Sequence, residues 1–180
     1  IGLTEILAER LRGTENSDLL EVIRKNGEFL LKIINDILDL SKIEAGRLPL
    51  QTSRFDPARE LREAAQLMGV PAEQKGLELK LEIGPGLPAS FSGDPTRLRQ
   101  ILINLLGNAV KFTDSGQVIL RADYRDDEPP ELCVEVLDTG IGIDPDRIEK
   151  MYEAFAQEDI SSSRSFEGTG LGLTISKSLA

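Results

Sequence analysis

Three groups of residues in the second half of this 180-residue chain have types and spacings that could do chemistry. Asn104, Asn108 and Lys111 fall at i, i+4 and i+7, so a helix would carry two amides and an ammonium on one face. Amide carbonyls are hard oxygen ligands, so this face could hold Mg²⁺ and phosphate oxygens. A solvated helix face accounts for the same residues, but asparagine is a poor helix former and two on one face carry a cost. Asp138-Thr-Gly140-Ile-Gly142 closes an apolar strand pattern. Its carboxylate could accept a hydrogen bond from an exocyclic amine while the glycines let backbone approach a ring; a plain Asp-Thr-Gly turn is the alternative. Gly168-Thr-Gly170-Leu-Gly172 precedes a helix-compatible segment, where backbone N–H groups favour anions, or else is a hinge. It is not G-x-G-x-x-G, and no G-x-x-x-x-G-K-[ST] occurs, so Rossmann and P-loop readings fail. Taken together, the groups supply a metal ligand, an adenine reader and a phosphate cradle, which points to a nucleotide site.

The elements that must position them begin with two helices. Ile1, Leu3, Ile6, Leu7 and Leu11 mark a short one, followed by a connection at Gly13-Thr-Glu-Asn. Asp18 and Glu21 have the spacing of a capping box for a second helix. Leu20, Ile23, Gly27, Leu30, Ile34 and Ile37 then alternate spacings of three and four, a heptad seam widened by Leu19, Val22, Phe29 and Ile33. Gly46 and Pro49 stop it. So wide a face exceeds what the short helix can cover, and self-association is expected.

After Pro49 the pattern becomes mixed α and β. Leu48 to Phe55 reads as a short strand, and Asp-Pro pairs at 56–57, 94–95 and 144–145 each predict a helix start, with an N-cap carboxylate and proline at the first position. On the helix from Asp94, Leu98, Ile101, Leu102, Leu105, Ala109 and Phe112 form the expected core stripe. Leu77, Leu79, Leu81 and Ile83 alternate with charged residues as a half-buried strand. Val118, Leu120, Ala122 and Tyr124 form another, and Leu132, Val134 and Val136 a third, the last two joined by Asp126–Pro130 as an antiparallel hairpin. One sheet face covered by helices makes an α+β fold, a two-layer sandwich. The Ser-rich stretch Glu158–Gly168 has no apolar period and reads as a mobile loop.

Charge and composition exclude several functions. A net charge of −10 is wrong for a nucleic-acid partner, which needs a basic footprint. The single Cys133 permits no disulfide framework and reads as a small buried hydrophobe, which fits a reducing compartment. No apolar run approaches the roughly 20 residues of a membrane span, so a soluble, cytoplasmic piece without membrane contact is expected, with room for an anchor upstream in a longer parent.

The motifs in this order resemble the catalytic, ATP-binding half of sensor histidine kinases, within the ATPase superfamily that includes gyrase B, Hsp90 and MutL. Gln100-Ile-Leu-Ile-Asn104-Leu-Leu-Gly-Asn108-Ala-Val-Lys111-Phe112-Thr is similar to the family's N box, Asp138-Thr-Gly-Ile-Gly142-Ile to its G1 box, Tyr152-Glu-Ala-Phe155-Ala-Gln157 to its F box and Gly168-Thr-Gly-Leu-Gly-Leu-Thr-Ile-Ser-Lys177 to its G2 box. Leu38-Asp-Leu-Ser-Lys-Ile-Glu-Ala-Gly46 looks like the end of the second dimerisation helix. The resemblance implies a Bergerat-type ATP-binding fold over residues 47–180, truncated at its C-terminus, preceded by a partial dimerisation and phosphotransfer hairpin over 1–46. It implies ATP and Mg²⁺, with Asn108 as metal ligand, Asn104 orienting metal-bound water, Lys111 contacting phosphate and Phe112 lining the adenine pocket. Asp138 would read the adenine amine and Gly140 and Gly142 shape its pocket. Gly168, Thr169, Gly170, Leu171 and Gly172 would wrap the phosphates, with Phe155 and Ser161–Ser165 in an ATP lid. Asn104 and Lys111 would be the catalytic pair. Gyrase-like relatives typically place a glutamate at the position of Asn104 as general base, and an amide cannot abstract a proton, so phosphoryl transfer is implied rather than hydrolysis. Implied partners are a second copy, through the helix around residues 18–45, and a response-regulator receiver domain.

The chain contains no histidine. The family's acceptor lies before the equivalent of Ile1, and its fold runs on past the equivalent of Ala180, so a partial piece of a kinase is expected. A nucleotide-binding dimerisation module without turnover, a pseudokinase, is the alternative.

Overall fold

The computed structural model describes residues 17–152 and 169–180, which divide into two compact units, Ile1–Leu48 and Pro49–Ala180. The expected Ile1–Leu11 helix, the 13–16 connection and the 158–168 loop lie outside the described residues.

In the first unit, helix α1 runs Ser17–Glu44. Asp18 already lies within the helix rather than at its N-cap, and Glu21 turns to Arg24, whose Nε and Nη2 donate to its carboxylate at 2.9 and 2.6 Å. The Arg24 hydrogen bonds pull the Glu21 pKa down to about 2, outweighing the opposing effect of burial. At the other end Gly46, at φ +63°, gives α1 a two-bond termination, Gly46 N to Ile43 O at 2.9 Å and Arg47 N to Lys42 O at 2.8 Å. The seam residues Ile23, Leu30, Ile34 and Ile37 are exposed, as are Leu19, Val22, Leu31 and Leu38.

In the second unit, β1 (Ser53–Phe55) is shorter than the expected strand because residues 49–52 pair with no other strand. It pairs antiparallel with β3 (Phe91–Gly93), Phe55 opposite Phe91. Helix α2 (Pro57–Gln74) is capped by Asp56, and α3 (Pro95–Phe112) by Asp94, whose Oδ1 accepts from Thr96 N at 3.0 Å and Arg97 N at 3.1 Å. The third Asp-Pro pair opens only a 3₁₀ turn, Pro145–Arg147, and the four-residue α4, Ile148–Met151. The main sheet has the order β2 (Glu78–Ile83), β4 (Gln117–Arg125), β5 (Glu131–Asp138). β2 and β4 are parallel with Leu81 beside Leu120; β4 and β5 form the expected antiparallel hairpin with Leu120 beside Val136.

Helices α2 and α3 cover one face of this sheet. Leu61, Ala64 and Ala72 from α2 meet Leu102, Leu106, Ala109 and Val110 from α3 over Val118, Leu120 and Ala122 of β4. The opposite face mixes apolar Ile119 and Leu137 with charged residues, among them Arg121 bridging Glu82 at 2.9 Å and Glu135 at 3.4 Å across three strands. The buried stripe of α3 differs from expectation: Leu106 and Val110 are buried, while Ile101, Leu105 and Phe112 are only partly so. Leu106 and Val110 pack with α2 over the sheet, while a second neighbour, α5 (Gly172–Leu179), with Leu171 and Ile175 buried, engages the Asn104 side of α3. Two polar ties fix α2 to α3. Glu60, 1% exposed, binds Arg99 through Nε at 3.1 Å and Nη2 at 2.5 Å, and Lys75 Nζ donates to the Val110 and Lys111 carbonyls at 2.9 and 2.7 Å. An ammonium on the last turn of a helix satisfies orphan carbonyls and opposes the negative end of its dipole.

Candidate functional site

Helix α3 is the spine of the site. Asn104, Asn108, Lys111 and Phe112 all occupy partly buried positions along it, and Asn104 and Phe112 lie about 12 Å apart along the axis. At the Asn104 end, Nδ2 donates to Ser176 Oγ of α5 at 2.9 Å. Its Oδ1 lies against the first residue of α5: a Cβ added to Gly172 would sit 2.0 Å from that oxygen. No side chain fits there unless Asn104 moves. The G2 glycines are thereby brought to the N-box asparagine, and Gly170 holds the approach at φ +69°, a conformation that favours glycine.

At the other end the Phe112 carbonyl accepts from Ile141 N at 3.3 Å. Gly140 comes so close that a Cβ would stand 2.5 Å from the same carbonyl oxygen. Asp138, at the end of β5, is exposed; its Oδ1 accepts from Gly140 N at 2.9 Å, which orients the carboxylate. Thr139 anchors the loop, its Oγ1 accepting from Gln117 N at 3.1 Å and donating to Ser115 O at 3.2 Å. Lys111 Nζ stands 4.7 Å over the Phe112 ring. Asp138, Gly140, Phe112 and Lys111 are therefore one group, while Asn104, Leu171 and Gly172 form a second, both on α3. Gly142 (φ +71°) follows the first group with open space at its Cα. Thr169 Oγ1 accepts from Leu171 N at 3.2 Å, shaping the run into α5. Phe155 and Gly168 lie outside the described residues.

Several residues at the site were not legible beforehand. Ser176 lies in the G2-like run and Lys75 in no motif, and their contacts, across 72 and 36 positions of sequence, have no local signal. Thr174 Oγ1 donates to the Tyr152 carbonyl at 2.9 Å and Lys177 Nζ sits 4.6 Å over the Tyr152 ring, tying α5 to the start of the F-box segment. Thr113, next to Phe112, is fully buried, and its hydroxyl has no hydrogen-bond partner among the described residues. A cleft of about 710 Å³ lined by Phe91, Leu98, Ile101, Leu105 and Val134 is largely apolar and includes none of the motif asparagines, Asp138 or the motif glycines.

Among the described residues no cluster of three or more His, Cys, Asp or Glu could hold a metal ion. The donors present fit Mg²⁺ only in company with an anionic ligand: Asn108 and Asn104 offer neutral hard oxygens, and Mg²⁺ commonly completes its octahedron with phosphate oxygens and water. Gly140 and Gly172 let the G1 and G2 segments pack directly against Phe112 and Asn104 of α3.

Comparison with known proteins finds similarity to two family models and to several relatives. A family model described as histidine kinase-, DNA gyrase B-, and HSP90-like ATPase matches residues 93–180, and the His Kinase A (phospho-acceptor) domain model matches residues 1–46. Sensor protein GacS of Pseudomonas syringae pv. syringae is 42% identical over 99% of this chain and 20% of its own length. The autoinducer 2 sensor kinase/phosphatase LuxQ of Vibrio parahaemolyticus is 40% identical over 99% and 21%. This chain thus spans about a fifth of those relatives. The solved structure of full-length ShkA in complex with AMPPNP superimposes with a TM-score of 0.78 at 36% identity, covering 96% of this chain and 36% of that one. The catalytic domain of histidine kinase ThkA shares the fold at a TM-score of 0.60 and 24% identity, over 72% of this chain and 80% of that one.

Proposed function

The chain belongs to the histidine kinases, as their catalytic domain with part of the dimerisation region, and we propose that it binds ATP along α3 and transfers the γ-phosphoryl group to a histidine of another polypeptide. The observation that carries this reading is the convergence of three separate motifs on one helix: G2 at Asn104 through Gly172, G1 at Phe112 through Gly140. The adenine lies at the Asp138 end, with Asp138 accepting from its exocyclic amine, Phe112 lining the pocket and Gly140 and Gly142 shaping it. The phosphates lie towards the Asn104 end. Lys111, its long side chain swinging from the Phe112 ring along the helix, contacts them, and Gly168, Thr169, Gly170, Leu171 and Gly172 wrap them, with Phe155 part of the closing segment. Mg²⁺, held by Asn108 with the phosphates, would neutralise phosphate charge when bound.

The choice of acceptor follows from proton chemistry. Hydrolysis needs a base to take a proton from attacking water, and the Asn104 amide is no base. A neutral imidazole attacks with its own lone pair: a nitrogen–phosphorus bond forms, the bond to the bridging oxygen breaks, and ADP leaves with that electron pair. Positioning by Asn104 and charge compensation by Lys111 are then sufficient demands on the protein. The chain has no histidine, so it does not label itself.

Residues 1–46 and 47–180 are assigned to the dimerisation hairpin and the catalytic domain, and the exposed apolar seam of α1 pairs two copies. The phosphoryl group passes on to an aspartate of a response-regulator receiver domain. No described helix is long and apolar enough to cross a membrane; the proposed use of ATP supports a cytoplasmic location for this part. Calorimetric titration with ATP and GTP analogues in Mg²⁺ tests the reading. The ATP analogue should bind and the GTP analogue bind at least tenfold more weakly, Asp138→Ala should remove binding more completely than Asn104→Ala, and Asn108→Ala should reduce its Mg²⁺ dependence. Equal affinity for the two nucleotides would refute the role of Asp138.

A further inference from the structure

The hydrogen bond between Asn104 and Ser176 has a consequence for the chemistry, given the nucleotide reading above on which it rests. An asparagine amide has two chemically different ends and rotates freely unless both are constrained. Here Nδ2 is held by the Ser176 hydroxyl at 2.9 Å, and Oδ1 abuts Gly172, where even a methyl group would stand 2.0 Å away. Ser176 is 7% exposed and lies one helical turn beyond Gly172, on the same face of α5. Its side chain is a short polar group in an otherwise apolar row: Leu171 and Ile175 beside it are buried. A buried hydroxyl in such a row costs stability unless it is bonded, and the bond it makes is to a residue of the site.

We propose that Ser176 is a positioning residue for the phosphoryl-transfer site, fixing the Asn104 amide so that its oxygen is presented at the start of α5, beside the phosphate-wrapping glycines. Gly172 supplies the space and Ser176 the direction. Without the hydroxyl the amide turns freely, and its oxygen is at the glycine run for only part of the time. The effect acts on the Mg²⁺–phosphate end of the ligand and not on the adenine end, which is built from Asp138 and Gly140 about 12 Å along α3.

The test compares the unaltered chain, Ser176→Ala, Asn104→Ala and the double variant. Affinity for a non-hydrolysable ATP analogue is measured by calorimetry with Mg²⁺ and with EDTA, alongside NMR of the Asn104 side-chain NH₂ pair. Ser176→Ala should weaken binding about tenfold in Mg²⁺ and less than about twofold in EDTA, a loss within the range of one buried hydrogen bond. The double variant should bind no more weakly than Asn104→Ala, because the serine acts only through that amide. In the unaltered chain the Asn104 NH₂ pair should exchange with water more slowly than those of exposed asparagines, and the pair should shift on Ser176→Ala. Additive losses in the double variant, equal losses with and without Mg²⁺, or unchanged affinity in Ser176→Ala would overturn the proposal while leaving the nucleotide reading intact. The NH₂ measurement needs no variant, so a Ser176→Ala chain that failed to fold would still leave it decisive: rapid exchange removes the bond. If the unaltered chain binds no adenine nucleotide, the functional reading falls and this proposal with it.

Discussion

Gly172→Ala separates folding from function at the place where the two motifs meet. The backbone tolerates alanine, since φ at Gly172 is outside the left-handed range, and alanine is the better helix former by up to about 1 kcal/mol. The obstacle is Asn104 alone: the new Cβ would lie 2.0 Å from Oδ1, 2.7 Å from Cγ and 2.9 Å from Nδ2. To reach ordinary contact at 3.4 Å the amide oxygen must retreat by about 1.4 Å, more than the 2.9 Å bond to Ser176 can follow. Losing that bond and leaving a buried hydroxyl unpaired costs about 1–3 kcal/mol, so after the gain in helix propensity the net destabilisation is about 1–2 kcal/mol. Thermal melts followed by circular dichroism should therefore fall by only about 5 °C. Affinity for a Mg²⁺–ATP analogue should nevertheless drop more than about tenfold, because Asn104 is displaced. Gly107→Ala, on the same helix with nothing within 4 Å of its Cβ, is the control and should raise stability by about 0.5–1 kcal/mol with unchanged affinity. A folded Gly172→Ala chain that binds nucleotide as the original does would show that the Asn104–Gly172 approach has no part in binding.

Three stability predictions follow from the polar ties of α3. Arg99→Met leaves the buried Glu60 carboxylate with only Arg59, at 3.2 Å, and should cost about 3 kcal/mol in urea unfolding, whereas Glu63→Ala, which removes an exposed partner of the same arginine, should cost less than about 1 kcal/mol. Equal costs would refute the burial argument. Burial pushes the Asp94 carboxyl upward, but N–H groups of Gln51, Arg97 and Thr96 outweigh it and hold the pKa below the ordinary range. A depressed folded pKa stabilises above the unfolded value of about 3.9 and loses that contribution as pH falls through the folded value, so the deficit of Asp94→Asn, measured by denaturation, should be full at pH 6 and shrink below about pH 4. A deficit independent of pH would contradict it. Lys75→Met removes the ammonium from the Val110 and Lys111 carbonyls and should lower stability by about 1–2 kcal/mol, with faster hydrogen exchange in the last turn of α3; unchanged exchange there would dismiss the cap.

Local chemistry made much of this molecule legible. The Asp-Pro pairs located α2 and α3 because an N-cap carboxylate and a fixed proline φ are properties of adjacent residues. Alternation located β2, β4 and β5 because each is half-buried. What failed was whatever depends on a distant neighbour. Leu106 and Val110 are core because α2 and β4 pack against that side of α3, which no periodicity within α3 could convey. β3 carries one apolar anchor, Phe91, too little to signal a strand. Among site residues, the motif asparagines, Asp138 and the glycines were visible as sequence, while Ser176, Lys75 and the Thr174–Tyr152 tie act through contacts 22 to 72 positions apart.

Phosphoryl transfer in trans tests the central claim most directly. The chain is mixed with a second polypeptide carrying the same α1 seam and an upstream histidine, and with γ-labelled ATP and Mg²⁺. The account predicts label on the second polypeptide alone, lost in acid and stable in base, abolished by Asp138→Ala and by removal of that histidine. Release of inorganic phosphate without labelling, with the chain folded and nucleotide bound, would contradict transfer and make this site one for hydrolysis.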